Sequence, residues 1–248
     1  DDDLVELRNI ERDPRVVLSF LGPREHSAVL NPYAVLRALP AGVQLEEATL
    51  FTLAETAMNG VRRSRLTWGE TTVVYGAGLL GQLTARLALL AGARWVFVVD
   101  VSQFRLERLP DDSRIVPLDA TSDDPDEVVR RKISQGADVV FELTGDPDLI
   151  PGEFGLLRPQ GRFVVLSSPR GSGTFFNFHD LCNAPSIEII GAHADSSPPV
   201  ATPQNPWTRN RHAQLFFDLL GSGVLDVAPL ITLKVGYEKA LANLKKGV

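Results

Sequence analysis

The chain has 248 residues, 44% of them hydrophobic and 23% charged, with a formal net charge of −6. That composition suits one large α/β domain, or a domain with a smaller lobe, and the mixed charges exclude the basic face that nucleic-acid binding needs. The one cysteine, Cys182, excludes an internal disulfide and a thiolate-rich zinc lobe and fits the cytoplasm, while apolar runs such as Leu87–Ala93 are too short to span a membrane.

Residues 1–45 read as short β-structure with turns at Asp13-Pro14, Gly22-Pro23 and Asn31-Pro32. Thr71–Tyr75 is a β-branched strand that ends in a glycine turn, and Leu79–Leu90 is a helix with a broad apolar face, closed by Gly92. Trp95–Val99 is a second buried strand, ended by Asp100. Ser102 caps a short helix through Leu109, and Arg114–Leu118 follows as a third strand. Asp123–Ser134 is a helix with acidic residues in its first turn, where they suit the helix dipole. A strand over Ala137–Leu143, a helix over Asp148–Leu157 and strands over Arg162–Leu166 and Ile187–Ile190 come next. An exposed connection over Ser196–Asn205 leads to a helix over Pro206–Leu220. A strand over Leu230–Val235 and a helix from about Tyr237 end the chain. Strands alternating with helices predict an α/β fold with a doubly wound parallel sheet of the Rossmann type.

The turn Gly76-Ala77-Gly78-Leu79-Leu80-Gly81 lies between a strand and a helix, the context that a G-x-G-x-x-G needs before it signals dinucleotide binding. Gly76 permits the tight turn, Gly78 lets the backbone approach a pyrophosphate, and Gly81 lets helix and strand pack closely. The helix start at Leu79 and Leu80 offers N–H groups and a positive dipole end to the phosphates. Asp100, with Val101 beside it, ends the next strand, where a carboxylate accepts hydrogen bonds from ribose hydroxyls and repels an additional phosphate. Arg105 is placed to stack on adenine or to tolerate that phosphate. NAD is therefore the expected cofactor, with NADP as the alternative.

The residues then resemble a known family. Thr56-Ala57-Met58-Asn59-Gly60-Val61, Trp68-Gly69-Glu70 and the strand into Gly76 are similar to the entry of the cofactor domain in medium-chain dehydrogenases/reductases. So, in order, are Gly136–Gly145, Leu157–Arg162, Ile189–His193 and Pro229–Thr232. The resemblance implies a GroES-like lobe reduced to residues 1–45, a Rossmann domain over 46–223, and a segment over 224–248 that returns to the small lobe. It places Thr56 beside the nicotinamide and Leu143, Thr144 and Gly145 along the adenosine. Leu166, Ser167 and Ser168 come at the nicotinamide ribose and amide, and Ala192 and His193 at the carboxamide. Family members that use zinc carry Cys, His and Glu ligands in the GroES-like lobe. No cysteine precedes Cys182 here, so no zinc is expected. Either the lobe is naturally reduced, or part of it is missing from this sequence. By the same resemblance a homodimer is expected through the edge strand Ile187–Ile190.

His26 and Tyr33 are candidate proton donors in the remnant lobe, each weighed against a plain surface or packing role. His193 ranks first near the site, paired with Asp195, more as a cofactor contact than as an acid. Glu142 ends a strand where ligands of open sheets collect, and its expected role is to satisfy loop amides. His179 and Cys182 make two ligands at most, too few for a metal site. Arg209, Arg211 and His212 read as a solvated basic face, with a phosphate or carboxylate contact as the sharper alternative. The expected activity is zinc-independent hydride transfer between NAD(P) and a small organic carbonyl, alcohol or activated double bond. The wide cleft of a reduced lobe also suits a substrate carried by a partner protein. Two alternatives stand beside it: a non-catalytic dinucleotide-binding module, and an enzyme that uses bound NAD(P) in a redox-neutral step.

Overall fold

The computed structural model describes residues 16–19, 35–38, 42–169, 171, 173 and 175–234, with side chains from 42 onward. Strands β1 (Val16–Ser19) and β2 (Val35–Ala38) form an antiparallel pair with Val16 opposite Ala38, within the segment expected to be β-structure. The short helix α1 (Leu45–Ala48) and the longer α2 (Phe51–Arg63) follow.

Six parallel strands then form one sheet: β3 (Thr71–Tyr75), β4 (Trp95–Asp100), β5 (Ile115–Asp119), β6 (Ala137–Glu142), β7 (Leu157–Val165) and β8 (Glu188–Gly191). Their order is β5-β4-β3-β6-β7-β8. The chain winds outward from β3 in one direction, returns, and winds outward in the other, which is the doubly wound topology. The switch point lies between β3 and β6, and in open sheets of this kind the crevice beyond the carboxyl ends of the strands at that point is the usual place for a ligand.

Alternation along each strand divides the core into two layers. Val74, Val96, Val98, Val139 and Phe141 pack with Phe51, Ala54 and Met58 of α2, with Leu83 of α3 (Leu79–Leu90), and with Phe216 of α7 (Arg209–Gly221). Val73, Phe97, Val99, Val140 and Phe163 pack on the other face with Val129 of α5 (Pro125–Lys132) and Phe154 of α6 (Ile150–Gly155). Helix α4 (Gln103–Leu106) joins β4 to β5.

Several boundaries differ from expectation for local reasons. Helix α5 starts at Pro125 because the Asp124 side chain caps it, accepting from the N–H groups of Asp126 and Glu127. Helix α7 starts at Arg209 because Thr208 accepts from the Arg211 N–H. Strand β7 begins at Leu157, ahead of the expected Arg162, since Leu157 pairs with Ala137 before the register shifts to Val139–Arg162. Gln160, with φ 60, absorbs that irregularity. The expected strand at Leu230–Val235 is corrected: Ala228–Leu230 is a 3-10 turn with Pro229 inside it, and 231–234 carry no strand. Leu230 is buried there with Leu225 and Val227, so burial rather than pairing accounts for its apolar character. The helix expected from Tyr237 lies outside the described residues.

Candidate functional site

The glycine turn closes the end of β3. Gly76 has φ +103, a left-handed value that side chains resist, and its N–H bonds the carbonyl of Val99 at 2.8 Å. A Cβ on Gly81 would lie 1.8 Å from the Gly76 carbonyl oxygen, so only glycine lets α3 start this close to the turn. Gly78 is different. It has extended backbone as N-cap of α3, no side chain caps that helix, and a Cβ there would meet nothing within 4 Å. Two glycines are thus required by packing, while the third opens on empty space at a helix N-terminus, where backbone N–H groups and the helix dipole favour an anion.

Asp100 braces this turn from behind. Its Oδ2 accepts from the Ala77 N–H at 2.7 Å, its Oδ1 accepts from the Ser102 N–H at 2.8 Å, and the Arg105 guanidinium lies 3.3 Å away. The Asp100 side chain is only 4% exposed, whereas that of Arg105 is 54% exposed and Val101 is exposed beside it. What the structure gives Asp100 is thus a bracing role that holds the turn in shape. Gln82, buried on α3, extends that brace by donating to the carbonyls of Ala77 and Arg105 and accepting from Arg86. Sequence reading missed this network; polar Gln82 and Arg86, four apart on an otherwise apolar helix, were its signal.

Across the switch point, Glu142 organises the facing loops. It is fully buried, and its Oε1 accepts from the Thr144 N–H, the Thr144 hydroxyl and the Gly145 N–H, each at 2.8 Å. Its Oε2 accepts from the Ser167 hydroxyl. One carboxylate thus ties together the two loops after β6 and β7, as its expected role with loop amides required. Leu143 donates its N–H to Tyr75, and Leu166 and Ser167 donate theirs to the carbonyl of Glu142. Ser168 is exposed beside them. Behind Glu142 sits Glu153, fully buried, with neither carboxyl oxygen bonded within the described structure. Burial, reinforced by the charges of Glu142 and Asp146, raises its pKa to about 9. Glu153 is neutral at pH 7.

Ala192 is buried after β8, and His193 follows with its side chain 72% exposed. The His193 Nδ1 accepts from the Asp195 N–H at 3.2 Å and lies 3.4 Å from the Asp195 carboxylate, so these two residues do orient one another. Thr56 is half-buried on α2, and its hydroxyl bonds back to the carbonyl of Thr52. Asn59, one turn further along α2, donates to the His193 carbonyl at 3.1 Å and to the Ser196 hydroxyl at 2.8 Å. It fixes the segment after β8 against α2. A buried Asn within Ala57-Met58-Asn59-Gly60 was a usable signal that sequence reading passed over. His26 and Tyr33 lie outside the described residues. The Cys182 thiol donates to the Ile187 carbonyl at 3.6 Å, and the His179 backbone N–H donates to the Asn177 side-chain oxygen at 3.1 Å. Among the described residues no group of three or more His, Cys, Asp or Glu is placed to hold a metal ion, and no helix is long and apolar enough to cross a membrane.

Residues 80–202 match the family model described as zinc-binding dehydrogenase. The chain is 30% identical over 217 residues to D-guloside 3-dehydrogenase of Escherichia coli (strain K12), covering 85% of this chain and 60% of the relative. It is 33% identical over 220 residues to 2-dehydro-3-deoxy-L-galactonate 5-dehydrogenase of Pseudoalteromonas atlantica, covering 87% and 60%. The chain therefore spans about 60% of the length of these curated relatives. Among solved structures, an Escherichia coli oxidoreductase/dehydrogenase of unknown specificity superposes with a TM-score of 0.72 at 20% identity, covering 92% of this chain and 62% of that one. An alcohol dehydrogenase from Thermus sp. ATN1 superposes with a TM-score of 0.63 at 24% identity, covering 77% and 51%. In sequence motifs, sheet order and relatives alike, the chain belongs to the medium-chain dehydrogenase/reductase superfamily.

Proposed function

We propose that the chain binds a nicotinamide dinucleotide, NAD in preference to NADP, and supports hydride transfer to or from a small polyhydroxylated alcohol or its ketone without zinc. The observation that carries this reading is the open space in front of Gly78, at an uncapped helix start braced by Asp100. Backbone N–H groups at an open helix start suit the charge of a pyrophosphate. When bound, the coenzyme supplies the hydride chemistry.

The chain's residues would bind and orient it. The N–H groups at Leu79 and Leu80 would take the phosphates. Asp100 would accept from a ribose hydroxyl, and its charge disfavours the additional phosphate of NADP. Arg105, half exposed at 3.3 Å from Asp100, offsets part of that repulsion. The loops pinned by Glu142 would line the ribose and carboxamide, and Thr56, Ala192 and His193 would close the nicotinamide end. The substrate class follows from the relatives' names, which describe dehydrogenases of sugar-like substrates. We assign the edge of β8, where Ile189 is 47% exposed, to a homodimer contact; a monomeric mass at micromolar protein excludes that contact.

Steady-state assays with NADH against a panel of ketoses, and with NAD against polyols, test the activity. Net coenzyme turnover on at least one substrate is expected. Tight NADH binding with no turnover on the panel would instead make the chain a dinucleotide-binding module.

A further inference from the structure

Between α2 and α7 two guanidinium groups share one indole. The Arg62 Cζ lies 3.0 Å from the ring centroid of Trp207, and the Arg211 Cζ lies 4.0 Å from it. His212 stacks on the same indole, with centroids 5.5 Å apart and planes inclined by 21°. Cation–π attraction holds each arginine in place but neutralises neither charge.

The neighbouring arginines all have acceptors: Arg63 bonds the Gly191 carbonyl, Arg65 pairs with Glu188, and Arg209 pairs with Asp195. Arg62 and Arg211 are less fully matched, Arg62 having no acceptor among the described residues. Among the described residues neither pairs with a carboxylate, and Arg211 reaches only the Pro206 carbonyl, at 3.4 Å. Partial burial, with the nearby charge of Arg211, lowers the Arg62 pKa to about 10. His212, stacked on that indole, is 1% exposed, and neither ring nitrogen has a hydrogen-bond partner in the described structure. Burial and the two arginines keep it neutral, with a pKa lowered to about 4. A neutral imidazole still carries one N–H donor. The site also lies at the first turn of α7, a helix of 13 residues whose dipole adds to the positive potential.

Two like charges held on one ring, with an unbonded imidazole stacked on the same ring and a helix N-terminus beside them, repel one another, and an anion would relieve that repulsion. A dianion with several acceptor oxygens matches two planar forks better than a single carboxylate does. We propose that Arg62 and Arg211, beside the first turn of α7, form a binding site for a phosphate group, carried either by free phosphate or by a phosphorylated metabolite. None of these residues belongs to the glycine turn or to the loops that Glu142 pins, so this site is separate from the coenzyme reading.

The test is calorimetric titration of the intact protein with inorganic phosphate and, in a second arm, with glucose 6-phosphate, both in saturating NADH so that the glycine turn is filled. Saturable binding is expected in at least one arm, weakened at least tenfold in the double variant Arg62→Gln, Arg211→Gln. Arg114→Gln, whose arginine pairs with Asp112 elsewhere on the surface, should bind as the wild type does. Equal affinity in both arms assigns the free ion as sufficient ligand, and tighter glucose 6-phosphate binding assigns the ester. If the double variant does not fold, the single Arg211→Gln, on an exposed residue, serves in its place. If NADH does not bind, the difference between wild type and variant still reads this site alone. No saturable binding in either arm, or equal affinity in wild type and double variant, would overturn the proposal.

Discussion

Gly78→Ala and Gly81→Ala should fail in opposite ways. A methyl group at Gly78 meets nothing within 4 Å, and the residue's φ of −63 is ordinary for alanine. Losing glycine freedom from the unfolded chain stabilises by about 0.4–1 kcal/mol, and an alanine N-cap costs about the same, so folding stability should change little. The same methyl group would occupy the space that the pyrophosphate needs, and NADH affinity should fall at least tenfold, about 1.4 kcal/mol. At Gly81 the added Cβ lies 1.8 Å from the Gly76 carbonyl oxygen, more than an ångström inside contact. Helix α3 must retreat from the turn, and overpacking of that kind costs about 1–3 kcal/mol. Gly81→Ala should therefore lose stability as well as affinity. Urea unfolding and calorimetry on the three proteins separate these effects. If Gly78→Ala binds NADH as the wild type does, the space before Gly78 is not the pyrophosphate site.

Three further outcomes follow from buried polar groups. Glu142→Gln puts an amide NH2 among N–H and O–H donors, which should cost about 1–3 kcal/mol in urea unfolding and weaken NADH binding as the loops at Thr144 and Ser167 part; unchanged affinity would show that Glu142 does not position them. Glu153 is neutral when folded up to about pH 9 but ionises near 4.5 when unfolded, so the unfolded chain binds fewer protons in that window and stability falls by about 1.4 kcal/mol per pH unit as pH rises. Glu153→Gln should remove that slope, and a wild-type-to-variant difference that stays constant from pH 5 to 8 contradicts a neutral buried acid. His212 has the opposite sign: its folded pKa is lowered to about 4 from 6.5, so its contribution is intact above pH 6.5 and is lost as pH falls toward 4. His212→Phe should flatten that acid limb of the stability curve, and an unaltered limb would show that the imidazole is protonated in the folded chain.

The sheet and the glycine turn were legible because each rests on a local pattern. Thr71–Tyr75 and Leu79–Leu90 match their expected bounds, since a β-branched run, three glycines and an apolar helix face are all contiguous signals. Helix α2 was noticed only as part of a family motif, although Phe51, Ala54, Met58 and Val61 are spaced to bury one face. The particular partners of the buried carboxylates were illegible for a different reason. That Asp100 would spend its oxygens on Ala77 and Ser102, or that Glu142 would join Thr144 to Ser167, depends on loop conformations that spacing does not encode. Leu230 misled because a buried 3-10 turn and a strand both use apolar residues, and Pro229 was the stronger clue.

Calorimetric titration of the intact protein with NADH and with NAD tests the central assignment most directly. The glycine turn, the helix start behind it and the Asp100 brace should give saturable, one-site binding of at least one of the two. Heat no different from dilution, at coenzyme concentrations well into the millimolar range and with protein shown to be folded, would contradict it.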